Sequence, residues 1–201
     1  MKNWLVVLMY GVGCLGLKFV PDLFIPLSIW SLIITFFVLF QEQMTLKNGL
    51  VFLSIAAMGW FIEYIGVHYH VPFGIYEYGD GLGIKVLDIP LVIGLNWVIV
   101  TVSSWLTVEW AFSKWNKLTK ILMSASLMTV LDILIEPVAP HLDYWMFQLN
   151  WPPVQNYIAW FWLGLLFSLM MSMVQWKRYS STGVVVWMCQ FFFFLILQLF
   201  H

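Results

Sequence analysis

Charge is what this chain has least of: charged residues make up 9% of its 201 residues, while apolar ones make up 62%. So little charge excludes a soluble domain, whose water-facing surface would need far more. No nucleic-acid partner is expected. Cysteine is nearly absent too, with Cys14 and Cys189 alone. Both fall inside apolar runs, so they form neither a disulfide framework nor a cysteine metal site and are read as small buried packing residues. No phosphate loop, nucleophile motif, internal repeat, low-complexity tract or linker is visible, so residues 1–201 are expected to form a single transmembrane helical domain. The last apolar run holds no lysine, which leaves a retinal-type receptor without its Schiff-base partner.

What is present is a series of apolar runs, each of the size of a membrane-spanning helix, about 20 residues. They lie at about 4–20, 23–40, 49–67, 89–110, 118–138, 154–176 and 183–200. None shows the strict two-residue alternation of an outer-membrane barrel, so the backbone must satisfy its hydrogen bonds within helices. The expected class is therefore all-α and polytopic, with about seven transmembrane helices in a lipid bilayer. Cytoplasmic loops carry the excess of Lys and Arg. A cytoplasmic N-terminus puts Lys2, Lys47, Lys114, Lys117, Lys120, Lys177 and Arg178 inside and only Lys18 and Lys85 outside. The C-terminal His201 and two long loops then face outward, and the expected location is the cytoplasmic membrane of a bacterium. Lys2, Gly13 and Cys14 have a weak likeness to a lipoprotein signal. Gly11 and the apolar sequence after Cys14 argue instead for an uncleaved first span.

The two long loops, 68–88 and 139–153, interleave aromatic and turn residues, as functional loops between membrane helices do. The first has Pro72, Gly74, Gly79, Gly81 and Gly83 among Tyr69, Phe73, Tyr76 and Tyr78, a pattern that suits a compact loop folded onto the helix ends. An interfacial aromatic belt is the blander reading.

Carboxylates are the sharper signal. Glu63 lies near the outer end of the third run, with Gly59 and Gly66 on its face, small neighbours that let another helix approach. Asp132 and Glu136 share a face of the fifth, in a stripe that continues through Thr129 and Ala125. Asn96, Ser103 and Thr107 form a second polar stripe on the fourth, and Asn156 opens the sixth. At about 1.5 Å per residue, Glu63, Asn96, Asp132, Glu136 and Asn156 all lie within roughly 10 Å of the outer boundary. They are expected to form one layer. Clustered carboxylates near the membrane interior mark function by default, since each costs about 2.5–3.5 kcal/mol to insert. The competing reading is a set of hydrogen bonds that only holds the bundle together. Glu42, Glu109 and Asp22 are read as ordinary loop charges.

A dry pocket of carboxylates and aromatic rings suits proton chemistry on an apolar substrate. Two close carboxyls cannot both ionise cheaply, so one keeps a proton and can serve as an acid. Protonating an alkene yields a carbocation, which aromatic faces stabilise and an oriented water captures.

The run Glu63-x-x-Gly66-Val67, then Pro72-Phe73-Gly74-x-Tyr76-x-Tyr78-Gly79, Leu82-Gly83-x-Lys85, and Pro90-Leu91 through Gly94-x-Asn96-Trp97 resembles the carotenoid biosynthesis membrane-protein family. So does a second block, Asp132-x-x-x-Glu136-Pro137, Tyr144-Trp145 and Pro152-x-x-x-Asn156-Tyr157-x-x-Trp160. Together the blocks cover about half of the chain. The family includes carotenoid 1,2-hydratases. The resemblance implies cofactor-independent addition of water to the terminal 1,2 double bond of an acyclic carotenoid end group, as in lycopene or gamma-carotene. It implies Asp132 or Glu136 as proton donor, and Glu63 and Asn156 as water-orienting groups. Asn96, Trp97, Phe73, Tyr76, Tyr78, Trp145, Tyr157 and Trp160 would bind substrate. Tyr69-His70 stand where the family often has Thr-Gly, and Glu136 where it often has Asp; both bear on the end group used. No metal site is expected, and other carotenoid-pathway membrane enzymes are candidate partners. The alternatives are an end-group cyclase, a metal hydrolase built on His68, His70 and His141 with Glu77, Asp80 and Asp143, and a proton-coupled transporter.

Overall fold

A computed structural model describes residues 2–41, 45–174 and 181–200. Glu42, Lys177, Arg178 and His201 lie outside the described residues, as does the side chain of Lys2. Helix makes up 72% of the chain, and each of the predicted apolar runs folds as helix. These are α1 (Lys2–Phe19), α4 (Leu46–Tyr69), α5 (Ile93–Ala111), α6 (Lys117–Ile135), α7 (Val154–Met171) and α8 (Ser181–Gln198), with the second run split into α2 (Pro21–Phe24) and α3 (Ser28–Phe40). Pro26 explains the split, because its ring removes an N–H and clashes with the preceding turn. Among the described residues, four helices, α4, α6, α7 and α8, are long and apolar enough to cross a membrane.

The centre of the bundle is α5, which packs against α3, α4, α6, α7 and α8. Being enclosed on all sides, it tolerates polar residues that lipid would not. Thr101 and Ser103 are fully buried, and Thr101 and Thr107 donate to the carbonyls of Trp97 and Ser103, each at 2.7 Å. This back-bonding satisfies hydroxyls within the helix itself. Glycines set the closest approaches. A Cβ at Gly94 would lie 2.9 Å from the Ala56 carbonyl of α4, and one at Gly164 of α7 would lie 3.0 Å from the Ala125 Cα of α6. Side-chain caps start two helices: the Thr45 hydroxyl accepts from the Asn48 N–H of α4 at 3.2 Å, and the Asn116 carbonyl from the Thr119 N–H of α6 at 2.9 Å.

The two long loops are joined to each other. Strand β1 (Tyr76–Tyr78) pairs antiparallel with β4 (Trp145–Phe147), in the register Tyr76 to Phe147 and Tyr78 to Trp145. A second ribbon, β2 (Lys85–Val86) with β3 (Ile89–Pro90), closes the first loop on itself. Because successive strand residues face opposite sides, Glu77 and Met146 point to the exterior, while Tyr76, Tyr78, Trp145 and Phe147 are buried over the helix ends. Asp143 fastens the two loops: its carboxylate accepts the Asp80 N–H at 2.8 Å, and its backbone carbonyl accepts from Gly81 at 2.8 Å.

Two sequence expectations need correction. Gly59 and Gly66 do not admit a neighbouring helix backbone; a Cβ on either would strike, at 2.5 Å, the Trp97 indole or the Tyr76 hydroxyl. They make room for the two side chains that hold Glu63. Nor is Glu109 an ordinary loop charge. It is buried at the end of α5 and accepts from Lys120 Nζ of α6 at 2.7 Å, while Lys120 also donates to the Ser113 carbonyl at 2.9 Å. Asp22 is exposed in the first turn of α2, as expected. Cys14 is buried and Cys189 half-buried, both as free thiols.

Candidate functional site

Beneath the β1–β4 ribbon, the ends of four helices deliver polar groups to one small pocket, α4, α5 and α7 one each and α6 two. Glu63 comes from α4, Asn96 from α5, Asp132 and Glu136 from the end of α6, and Asn156 from the first turn of α7, all lining one cavity of about 20 Å³. The layer expected from helix depth is thus a single site. Glu63, Asp132, Glu136 and Asn156 are 5% exposed or less. Phe73, Tyr76, Tyr78, Trp145 and Trp160 complete the wall with Ile93 and Phe147.

Each carboxyl has a distinct set of donors. Glu63 is held at both oxygens: the Trp97 indole N–H donates to Oε1 at 3.0 Å and the Tyr76 hydroxyl to Oε2 at 2.5 Å. Glu136 is also held at both, by Asn156 Nδ2 on Oε1 and by the Trp145 indole N–H on Oε2, each at 3.2 Å. Asp132 accepts from Asn156 Nδ2 on Oδ2 at 2.9 Å, and its Oδ1 is buried with no hydrogen-bond partner among the described residues. Donors to both oxygens of Glu63 and Glu136 favour the anion, whereas burial disfavours it. Three like charges this close in a dry pocket would be very costly. The unpartnered Oδ1 is the atom free to carry the proton that relieves them.

Asn156 spends both amide hydrogens bridging Asp132 and Glu136. By contrast, the Asn96 side chain makes no hydrogen bond among the described residues, yet it lines the pocket. Burial, followed by the nearby charges of Glu63 and Glu136, holds the Tyr76 hydroxyl well above the usual tyrosine range, so it stays a donor to Glu63 through the neutral and mildly alkaline range. Replacing Tyr76 with Phe leaves one Glu63 oxygen buried and unpaired. The expected loss is about 1–3 kcal/mol of stability, read as a lower midpoint in detergent thermal unfolding; an unchanged midpoint would mean that water replaces the hydroxyl.

Trp97 does not line the cavity. It stacks behind Trp160 with ring centroids 4.0 Å apart, so its part is to orient Glu63 and support the wall. Tyr157 lies half-buried on α7 outside the cavity lining. The residues of the metal-hydrolase reading are engaged elsewhere: His68 contacts the Tyr64 carbonyl at 3.1 Å and Asp88 at 3.6 Å, His70 caps the end of α4, and Asp143 fastens the loops. Among the described residues, no three His, Cys, Asp or Glu side chains are grouped to hold a metal ion.

A larger cavity of about 300 Å³ adjoins this pocket and shares Ile93, Asn96 and Trp145 with it. Sequence reading missed it, and no residue pattern announces a void; Phe147, by contrast, was findable from its alternation with Trp145. One edge of the large cavity is closed by Tyr144, whose hydroxyl donates to Ser28 Oγ at 2.5 Å.

A family model described as "Carotenoid biosynthesis protein" matches residues 23–201. The chain belongs to that family. It is also similar to a bisanhydrobacterioruberin hydratase of Haloarcula japonica, 26% identical over 120 residues. That match covers 57% of this chain and 41% of the relative, so this chain aligns with less than half the length of the relative. No solved structure matches it. All the pocket residues named above fall within the matched 23–201.

Proposed function

We propose that the protein is a carotenoid 1,2-hydratase, a lyase that adds water to the terminal double bond of an acyclic end group without a cofactor. The observation that carries this reading is the pocket of about 20 Å³ enclosed by Glu63, Asp132, Glu136, Asn96 and Asn156. It is about the size needed for a single water, and it shares Ile93, Asn96 and Trp145 with a mostly apolar cavity. A hydratase must bring one water and one acid to an alkene that has no polar handle.

In the proposed step, the Asp132 proton on Oδ1 passes to C2 of the end group, leaving a tertiary cation at C1. Glu63 and Glu136 stabilise that cation by charge, and Trp145, Trp160 and Phe73 by their ring faces. The enclosed water attacks C1, and its proton returns to a carboxylate of the Asp132–Glu136 pair. The C1=C2 π bond and one O–H bond of water are broken, one C–H and one C–O bond form, and the carboxyl O–H lost in the first step is re-formed, so the site is regenerated. Water occupancy separates this outcome from cyclisation, which begins with the same protonation but ends by losing a proton. The likeness to a hydratase supports the first course.

The topology that accompanies this reading is seven crossings in a bacterial cytoplasmic membrane, as one transmembrane helical domain with the N-terminus inside. It places the pocket near the outer face, within reach of water. The carotenoid arrives through the bilayer, and other carotenoid-pathway membrane enzymes would supply it by lateral diffusion. Expression in a lycopene-producing host, with heavy-oxygen water in the medium, tests the reaction. The expected pigment has gained one water per reacted end, with the label in the hydroxyl. An isomer of unchanged mass would replace this reading with cyclisation, and an unlabelled hydroxyl with oxygen-dependent chemistry.

A further inference from the structure

The large cavity has a direction. Its inner end is formed by the buried residues Leu82, Ile93, Tyr144 and Trp145, together with Asn96 at the acid pocket. Its other end is lined by residues that are largely exposed, Val12 of α1 at 55% and Trp30 and Ile34 of α3 at 61% and 39%. These exposed positions lie along the two shorter apolar helices, whose surroundings in the proposed topology are hydrocarbon rather than water. The space therefore runs from the exposed side chains of α1 and α3 inward to Ile93, Asn96 and Trp145, which also line the acid pocket. Its wall is apolar for most of its length, and its volume of about 300 Å³ is at the lower end of ordinary ligand pockets.

We infer that this cavity is the entry path and seat for the apolar body of the substrate, a linear isoprenoid chain that enters from the bilayer between α1 and α3. The inference rests on the hydratase reading for the chemistry at its inner end. A chain without polar groups gains nothing from crossing the aqueous loops, whereas a slot open to hydrocarbon admits it sideways. The β1–β4 ribbon covers the acid pocket from the loop side, and the exposed lining of the large cavity includes Val12 of α1 and Trp30 and Ile34 of α3. One helix of that opening, α1, lies outside the residues matched by the family model, 23–201. The acid pocket thus lies within the matched residues, while part of the seat is built from a segment outside them.

Gly13 is the position that exposes the inference to test. It lines the cavity, and a Cβ there would meet only Phe193 at an ordinary 3.5 Å. A large side chain would therefore extend into the void without striking backbone. Gly11, two residues earlier on the same helix, faces outward with nothing within 4 Å of its Cβ position. Gly13→Phe and Gly11→Phe make the same chemical change, one into the cavity and one into lipid.

Each substitution is made in the wild-type chain and in Asp132→Asn. Conversion of lycopene is measured in the first background, and lycopene retained on the purified, detergent-solubilised protein is measured by visible absorbance in the second. The expected result is at least a tenfold loss of both conversion and retained lycopene with Gly13→Phe, and values near those of the parent with Gly11→Phe, at similar thermal midpoints. Loss of retained lycopene in Gly13→Phe alone, in a protein whose wild type hydrates nothing, would keep the seat and remove the hydratase reading. Parent-like retention and turnover in Gly13→Phe would overturn the seat and leave the hydratase reading standing. Equal losses in both variants would also overturn it, because the effect would then belong to α1 as a helix. Gly13→Leu, which fills less of the void, is expected to lie between the parent and Gly13→Phe.

Discussion

Asp132→Asn is expected to lower carotenoid hydration by about 10²- to 10⁴-fold, the range for removal of a positioned general acid, while the protein still folds. The substitution preserves size and leaves an oxygen to accept from Asn156 Nδ2, which now donates to Asp132 at 2.9 Å. What it removes is the proton that the proposed step draws from Oδ1, the oxygen without a partner among the described residues. Glu136→Gln makes a useful contrast. Both Glu136 oxygens accept from neutral donors, Asn156 and Trp145, so the change removes charge from the group that, in the proposed step, stabilises the cation rather than supplying the proton. Its expected effect is smaller than that of Asp132→Asn. Pigment mass in a lycopene-producing host measures both, with detergent thermal unfolding as the folding control. Wild-type conversion by Asp132→Asn would remove Asp132 from the mechanism. A larger loss in Glu136→Gln would exchange the two roles.

The roles divide this way because of which elements supply the donors, and that division marks the limit of what the sequence could reveal. Four helix ends meeting in one layer was legible, because rise per residue and helical periodicity act locally and the apolar runs are long. Glu63, Asn96, Asp132, Glu136 and Asn156 accordingly meet where helix depth put them. The partners that distinguish one carboxyl from another come from the loops. Tyr76 reaches Glu63 and Trp145 reaches Glu136 across the β1–β4 ribbon, a pairing between segments nearly 70 residues apart that no local pattern encodes. Gly59 and Gly66 were misread for the same reason: small residues on a helix announce a close approach but not whether a backbone or an indole makes it. The large cavity was illegible too, because a cavity is a mismatch of shapes between elements and leaves no period in the sequence.

The largest stability effect is expected at the other end of the bundle, from Lys120→Met. Lys120 and Glu109 look like loop charges in the sequence, since each lies within a few residues of the turn between α5 and α6. In the fold that turn brings them together with side chains only 11% and 8% exposed. Replacing Lys120 with a chain of similar reach leaves the Glu109 carboxylate buried with no counter-charge, a loss that costs about 3–5 kcal/mol in buried pairs. For a chain of this size it corresponds to a fall on the order of 10 °C in the unfolding midpoint. Adding Glu109→Leu removes the stranded charge along with its partner. The double variant is therefore expected to recover most of the loss, because paired hydrophobic replacement of a buried ion pair is often close to neutral. Neither variant touches the acid pocket, so the double variant should hydrate lycopene at the parent rate. A single variant with an unchanged midpoint would show that water reaches Glu109. A double variant no more stable than the single would show that Lys120 acts chiefly through its bond to the Ser113 carbonyl at 2.9 Å, which ties the start of α6 to the turn before it.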